Sequence, residues 1–249
     1  MAVPRSLLLL SFVYTTTVLA PAQSTPHMPP DYRGVLQRAS GIFVTPVPGA
    51  PFTATVDLVS RHVLPDSQQD VSTTLAHIAR DGSGRIYNER RAMVASLPKD
   101  QDPPLLSALI YDPTNHLSTF LNPQTHLAHQ QTLVREAWKT DPPNLGSHDG
   151  GVLTSQADLG NQFIRATQLQ GTRKVWTVPA TDSGTGQPVT ITDEYWYAPA
   201  LSIYLILKHN DPRTGEQIVA VQQVVAGEPD PATFQVPARF RIVDETPAP

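Results

Sequence analysis

The sequence predicts a mainly β protein, a curved antiparallel sheet or incomplete barrel with little helix. Three observations predict it. From Phe52 onward apolar residues recur at every second position, the period of a half-buried strand. Clusters of Pro, Gly, Asn and Asp interrupt that pattern at short intervals, and 249 residues include 25 prolines, about twice the usual ~5% share. No segment sustains the 3.6-residue period of an amphipathic helix.

The chain opens MAVPRSLLLLSFVYTTTVLAPAQS. Arg5 is the only charge, an apolar run extends from Leu7 to Tyr14, and Ala20 and Ala22 precede Gln23. This is the layout of a secretory signal peptide over residues 1–22, cleaved after Ala22. The apolar run is shorter than the ~20 residues of a membrane span, so no stable span is expected after cleavage. Residues 23–48 form a Pro-rich, extended lead-in with one helical turn around Tyr32 to Arg38. A single β domain is expected over residues 49–245.

Within that domain Phe52, Ala54, Val56 and Leu58 share one face of the first strand. The turn LPDSQQD leads to the strand VSTTLAHIAR, and the tight turn DGSG leads to RIYNERRAM. LLSALIYD, HLSTFLN and HLAHQQTLV repeat this meander, separated by DPTN and PQT, with a partly helical end over Leu127 to Lys139. Residues 140–158, rich in Gly, Pro, Asp and Ser, read as a loop or linker. FIRATQLQ and TRKVWTVPA form a strand pair joined at Gly171, followed by strands at VTITDEYWY, LSIYLILKHN and GEQIVAVQQVVAG. DPATF is a short helical turn, and QVPARFRIV closes the domain.

One strand departs from simple alternation. In LSIYLIL, Leu201, Ile203, Leu205 and Leu207 fall on one face, and Tyr204 and Ile206 on the other. Both faces are apolar, so this strand is central and covered on both sides, by a second layer or by a cavity lining. Trp196, on the preceding strand, adds to the second face.

Composition excludes several function classes. There is no cysteine, hence no disulfide framework, thiol nucleophile or thiolate metal site. With 18 Lys and Arg and a formal net charge of −4, the chain carries no electrostatic footprint for nucleic acid. DSGT at Asp182 to Thr185 matches the short aspartic-protease signature, but a second copy is missing and the composition is that of a turn. Among eight histidines, His116, His126 and His129 lie close in sequence. On a strand His126 and His129 point to opposite faces, and no metal-ligand spacing occurs. Ser147, His148 and Asp149 are adjacent, which is not triad geometry. DGSGR is a hairpin turn that lacks the helix N-terminus of a phosphate loop. The sequence therefore assigns no catalytic residue, no metal ligand and no cofactor, and leaves the binding residues unknown.

The stretches GAPFTATVDLVSRHVL, IARDGSGRIYNER, IYDPTNHLSTFLNPQTHLA, LQGTRKVWTVPA, EYWYAPALSIYLILKHNDPRTGE and GEPDPATFQVPARFRI together resemble uncharacterised secreted proteins of acidobacterial type, from about Gly49 to Ile242. The order of elements, with DPATFQVP before the last strand, also resembles the periplasmic lipoprotein-carrier and lipoprotein-sorting superfamily. That resemblance implies an incomplete antiparallel barrel around an apolar cavity. The expected function is a non-catalytic envelope protein, periplasmic or extracellular, holding an apolar small molecule, lipid or lipoprotein on a concave sheet face near Trp196, Tyr204 and Ile206. The alternatives are an interaction or structural module whose edge strands pair with an envelope protein, and a hydrolase with an unrecognised site.

Overall fold

A computed structural model of the chain describes residues 42, 44–64, 68–133, 145–146, 148–164 and 166–247. The expected signal peptide, the helical turn at Tyr32 to Arg38, most of the 23–48 lead-in, Ser147 and the helical end at 134–139 lie outside these residues. Among the described residues no helix is long and apolar enough to cross a membrane.

Among the described residues twelve strands form one open, curved sheet. In chain order they are β1 Phe52–Val63, β2 Gln69–Arg80, β3 Ile86–Arg91, β4 Leu105–Asp112, β5 Leu117–Asn122, β6 Leu127–Thr132, β7 Val152–Ile164, β8 Thr167–Val178, β9 Val189–Ala198, β10 Ile203–Asp211, β11 Gly215–Ala226 and β12 Arg241–Asp244. Two 3-10 turns, Pro199–Leu201 and Pro231–Phe234, are the helical elements among the described residues. The spatial order is β12-β6-β5-β4-β3-β2-β1-β11-β10-β9-β8-β7. Two meanders, β1 to β6 and β7 to β11, thus meet along a central seam where β1 pairs with β11. All neighbours are antiparallel except β12, which runs parallel to β6. Bulges between Thr55 and Val56, Arg90 and Arg91, and Tyr204 and Ile206 bend the sheet and increase its twist.

Three hairpins share one local design, Asp or Asn followed by Pro and, three residues after that Pro, by a residue with positive φ. Asp112, Asn122 and Asp211 each accept a hydrogen bond from the backbone N–H two residues on, at 2.8, 3.0 and 2.9 Å. Proline presets φ for the first turn residue, and the fifth residue takes the left-handed conformation that closes the turn. His116 (φ 51°), His126 (φ 54°) and Gly215 (φ 114°) fill that position. A Cβ on Gly215 would run into the carbonyl oxygen of Arg61, so glycine is required there. The two histidines are therefore turn residues, and only His129 lies within a strand; the expected His126–His129 alternation along one strand does not arise.

The DGSG turn is tied by Asp81. Its Oδ1 accepts from the N–H groups of Ser83 and Arg85 and from Ser83 Oγ, and its Oδ2 accepts from Arg85 Nε at 2.6 Å. Burial raises the carboxyl pKa, but the hydrogen bonds from Ser83 and Arg85 and the Arg85 charge together bring it below the ordinary value of 3.8. The folded state thus favours the ionised form. The resulting stability is present above that value and is lost as pH falls through the lower folded-state pKa. Asp81→Asn is expected to lower Tm at pH 7, with the gap to wild type shrinking as pH drops below about 3.8. Thermal unfolding at a series of pH values checks this, and a gap constant with pH would contradict the assignment.

The principal core gathers Phe52, Ala54, Val56, Leu58, Ile78, Ile86, Tyr111, Tyr195, Leu205, Leu207, Val219 and Val221, with Ile42 and Val44 from the lead-in. A second core, Ala79, Ala108, Ile110, Leu121 and Ala128, is covered by Phe234 and Phe240 from the segment that follows β11. Each fully buried Leu, Ile or Phe contributes about 1.5–3 kcal/mol. That C-terminal segment continues to the far edge, where β12 joins β6.

Arg80, at the end of β2, is fully buried within the principal core. Its guanidinium lies 5.2 Å from the Phe52 ring centre and donates to the carbonyls of Thr45, Ala50 and Leu201 at 2.7–3.0 Å. No carboxylate among the described residues forms an ion pair with it. Burial lowers its pKa to about 10, partly offset by Tyr197, so the group stays charged at neutral pH. Arg80 thereby fastens the lead-in and the Pro199–Leu201 turn to the sheet.

Two expectations shift in the β7–β8 region. The sequence predicts a linker throughout 140–158, yet β7 begins at Val152. Most of β7 is exposed on both faces, so it carries no apolar alternation to mark it. The sequence also places a strand junction at Gly171, yet β8 runs straight through it, and the hairpin lies between Ile164 and Thr167. Gly171 is required because the Trp196 ring lies over it, with ring atoms 2.5–2.8 Å from where a Cβ would stand. The closing strand is also shorter than QVPARFRIV, occupying Arg241–Asp244.

Candidate functional site

The connection from β6 to β7, residues 133–151, begins one strand from one edge of the sheet and ends at the other edge. At its described ends Leu133 and Leu145 pack against the principal core. Gly146 lies against the imidazole of His209, so close that a Cβ there would collide with the ring. His148 follows, and its side chain reaches β9.

Asp193 on β9 and His209 on β10 stand directly opposite each other. His209 Nδ1 lies 2.7 Å from Asp193 Oδ1, and His148 Nε2 lies 2.7 Å from Asp193 Oδ2. Tyr195 Oη donates a longer bond to Oδ2 at 3.4 Å. The Asp193 side chain is completely buried, whereas His148 and His209 are 14% and 10% exposed. Trp176 stacks on His148 with ring centres 4.4 Å apart, and among the described residues its buried indole N–H has no hydrogen-bond partner. Burial raises the Asp193 pKa, but the hydrogen bonds from the two histidines and their charge when protonated outweigh it, leaving the carboxyl below the ordinary value. The result is a buried carboxylate held between two imidazoles, beside an aromatic wall.

This cluster is not visible in the sequence. Sequence alone gives Asp193 and His209 no role, and it sets His148 only beside Ser147 and Asp149. The deciding feature is the bulge at Leu205. Ala198 pairs with Ile203 and Tyr197 with Tyr204, but past the bulge Trp196 pairs with Ile206 and Asp193 with His209. Without the extra residue Asp193 would stand opposite Lys208, and His209 would face away.

The same bulge divides the expected apolar group. Trp196 and Ile206 are opposite one another beside Gly171, while Tyr204 contacts the rings of Tyr197 at 5.0 Å and Tyr195 at 6.0 Å, which share the other face. Tyr204 and Ile206 therefore do not share a face. Ile203, Leu205 and Leu207 are 0–2% exposed, whereas Tyr204 and Ile206 are only partly buried, so β10 is central in the sheet but the expected coverage on both sides is incomplete. The turn at Asp182 to Thr185 links β8 to β9, in keeping with its turn composition.

A second polar cluster surrounds Glu89. It accepts hydrogen bonds from His77 N, Tyr87 Oη and the guanidinium of Arg91, and Arg91 and His77 also approach Asp102. Burial and the neighbouring Glu89 both raise the Tyr87 pKa. Glu89 is satisfied by this arrangement, which ties β2, β3 and the segment before β4 together.

No protein-family profile matches the chain, and no curated protein matches it. Among solved structures it is similar to an uncharacterized conserved protein from Thermus thermophilus, with TM-score 0.40 and 10% identity over 79% of this chain and 91% of that one. A structure of PNGF-II matches with TM-score 0.37 and 10% identity over 79% of this chain but 31% of that one. A LolA superfamily protein from Nitrosomonas europaea matches with TM-score 0.30 and 10% identity, over 76% and 91% of the two chains. Similarity at this level carries no conclusion about function.

Proposed function

We propose that this chain is a non-catalytic, exported protein of the cell envelope that binds an extended segment of another polypeptide by strand addition along β7. The observation that carries this reading is the contrast between the two edges of the sheet. β12 offers four residues, two of them charged, Arg241 and Asp244. β7 offers thirteen residues with one charge, Asp158, and no proline. Val152, Leu153 and Phe163 stand 64%, 42% and 67% exposed along it. An unpaired edge of this length presents a row of free N–H and C=O groups, and natural proteins usually shorten or charge such edges. Strand addition uses that row for affinity and the flanking side chains for specificity. The partner is an extended, non-acidic segment with apolar residues placed to meet Val152, Leu153 and Phe163.

A second reading, an apolar small molecule, lipid or lipoprotein bound against the sheet as in lipoprotein carriers, is favoured by Trp196 and Ile206, which stand opposite one another and are only partly buried beside the principal core. Such a ligand has to enter beside these residues, since Ile203, Leu205 and Leu207 are already covered.

One experiment separates the readings. The chain is purified from a periplasmic fraction, and its native mass and organic extract are recorded. Strand addition is expected to give a complex with a polypeptide that is lost in Val152→Lys/Phe163→Lys, with Tm changed by no more than a few degrees because both sites are exposed. A bound species of several hundred daltons that extracts as lipid, and survives in that variant, would replace it with the second reading. A monomer free of both would reject both. The intact mass also reports whether the chain begins at Gln23.

A further inference from the structure

We propose that His148, Asp193 and His209 form a binding site for one divalent transition-metal ion of the zinc class. Among the described residues this is the one group of three potential ligands whose atoms all lie within 4.8 Å of one another. The other described histidines are placed differently. His62 meets Ser60, His77 meets Asp102, His129 meets Glu245, and His116 and His126 occupy turns.

The donor set determines the ion class. Two imidazole nitrogens and one carboxylate suit zinc and its neighbours, whereas calcium and magnesium prefer sets of oxygen ligands. Three protein ligands leave a further position for a water molecule. The surroundings also suit a metal. The carboxylate is fully buried and steadied by Tyr195, Trp176 packs on one ligand ring, and Gly146 leaves space for the other. Such supporting contacts orient metal ligands.

The present spacing is that of hydrogen bonds, 2.7 Å from each nitrogen to the carboxylate. Metal–ligand distances of about 2.0–2.2 Å in a tetrahedron separate ligand atoms by roughly 3.3 Å, so the group must open by about half an ångström. His148 is the ligand that can move. It belongs to the connection ahead of β7, flanked by Gly146, Gly150 and Gly151, whereas Asp193 and His209 are fixed by their strand pairing. The ion would replace the protons that the imidazoles now share with Asp193, and would fasten this connection to the sheet. The inference does not rest on strand addition at β7.

The test is a titration of the untagged chain with Co2+, a spectroscopic substitute for zinc, followed by displacement with Zn2+. One Co2+ per chain is expected, with visible bands of four- or five-coordinate nitrogen–oxygen ligation and quenching of Trp176 fluorescence. His148→Gln is expected to weaken binding by at least tenfold, about the lower end of the effect of disturbing a metal site. Trp176→Phe is expected to retain the bands and lose the quenching, which keeps the test decisive if the first variant folds poorly. The absence of a stoichiometric band, or bands and affinity unchanged in His148→Gln, would overturn the site.

Discussion

Arg80→Met is expected to lower stability by about 3–5 kcal/mol, the cost of breaking a buried charged network. With roughly 2–4 °C of Tm per kcal/mol for a chain of this size, that is a fall of about 10 °C. Methionine fills much of the volume and removes the desolvation cost of the charge, which works in the variant's favour. It leaves the carbonyls of Thr45, Ala50 and Leu201 without their donor, and each unsatisfied buried acceptor costs about 1–3 kcal/mol. The acceptors decide the sign. Arg80→Lys is expected to recover only part of the loss, because an ammonium cannot reproduce the planar fork that spans three carbonyls. Chemical denaturation of the three proteins checks the order. A Met variant within about 1 kcal/mol of wild type, the size of a single net hydrogen bond, would show that these carbonyls find other partners.

Gly171→Ala is the second large effect, about 1–3 kcal/mol destabilising, in the range of overpacked sites. Elsewhere in a strand the same change would be neutral or favourable, since alanine lowers the entropy of the unfolded chain. Here the new methyl would meet the Trp196 ring at 2.5 Å. Trp196→Leu in the same background is expected to recover part of the loss, so the two changes should be coupled. Simple additivity in a double-mutant cycle would mean that the ring is not what restricts position 171.

The strands that bury one face are legible in the sequence, because burial imposes a period of two. Phe52, Ala54, Val56 and Leu58 are all buried, and β1 to β3, β4 to β6 and β9 to β11 lie where alternation and turn residues place them. β7 is not legible. A strand exposed on both faces buries no stripe of side chains, so side-chain periodicity cannot mark it. The polar cluster escapes for a different reason. It depends on a single extra residue in β10 and on His148, which meets Asp193 from 45 residues away in the chain, and neither leaves a local signal. Tyr204 illustrates the point, since its position in the sequence is compatible with either face, and the bulge determines which.

The seam between β1 and β11 has a kinetic consequence. Along it Arg61 meets Glu216, partners 155 residues apart in the chain. Both meanders can form from neighbouring hairpins, but the seam requires the whole polypeptide, and long-range strand pairing is slow. Refolding is therefore expected to pass through two half-sheets, each exposing an unpaired inner edge until they dock. During that interval β1 and β11 are the surfaces most open to pairing with the wrong chain. Folding in the cell has to bring the two halves together before other strands reach those edges.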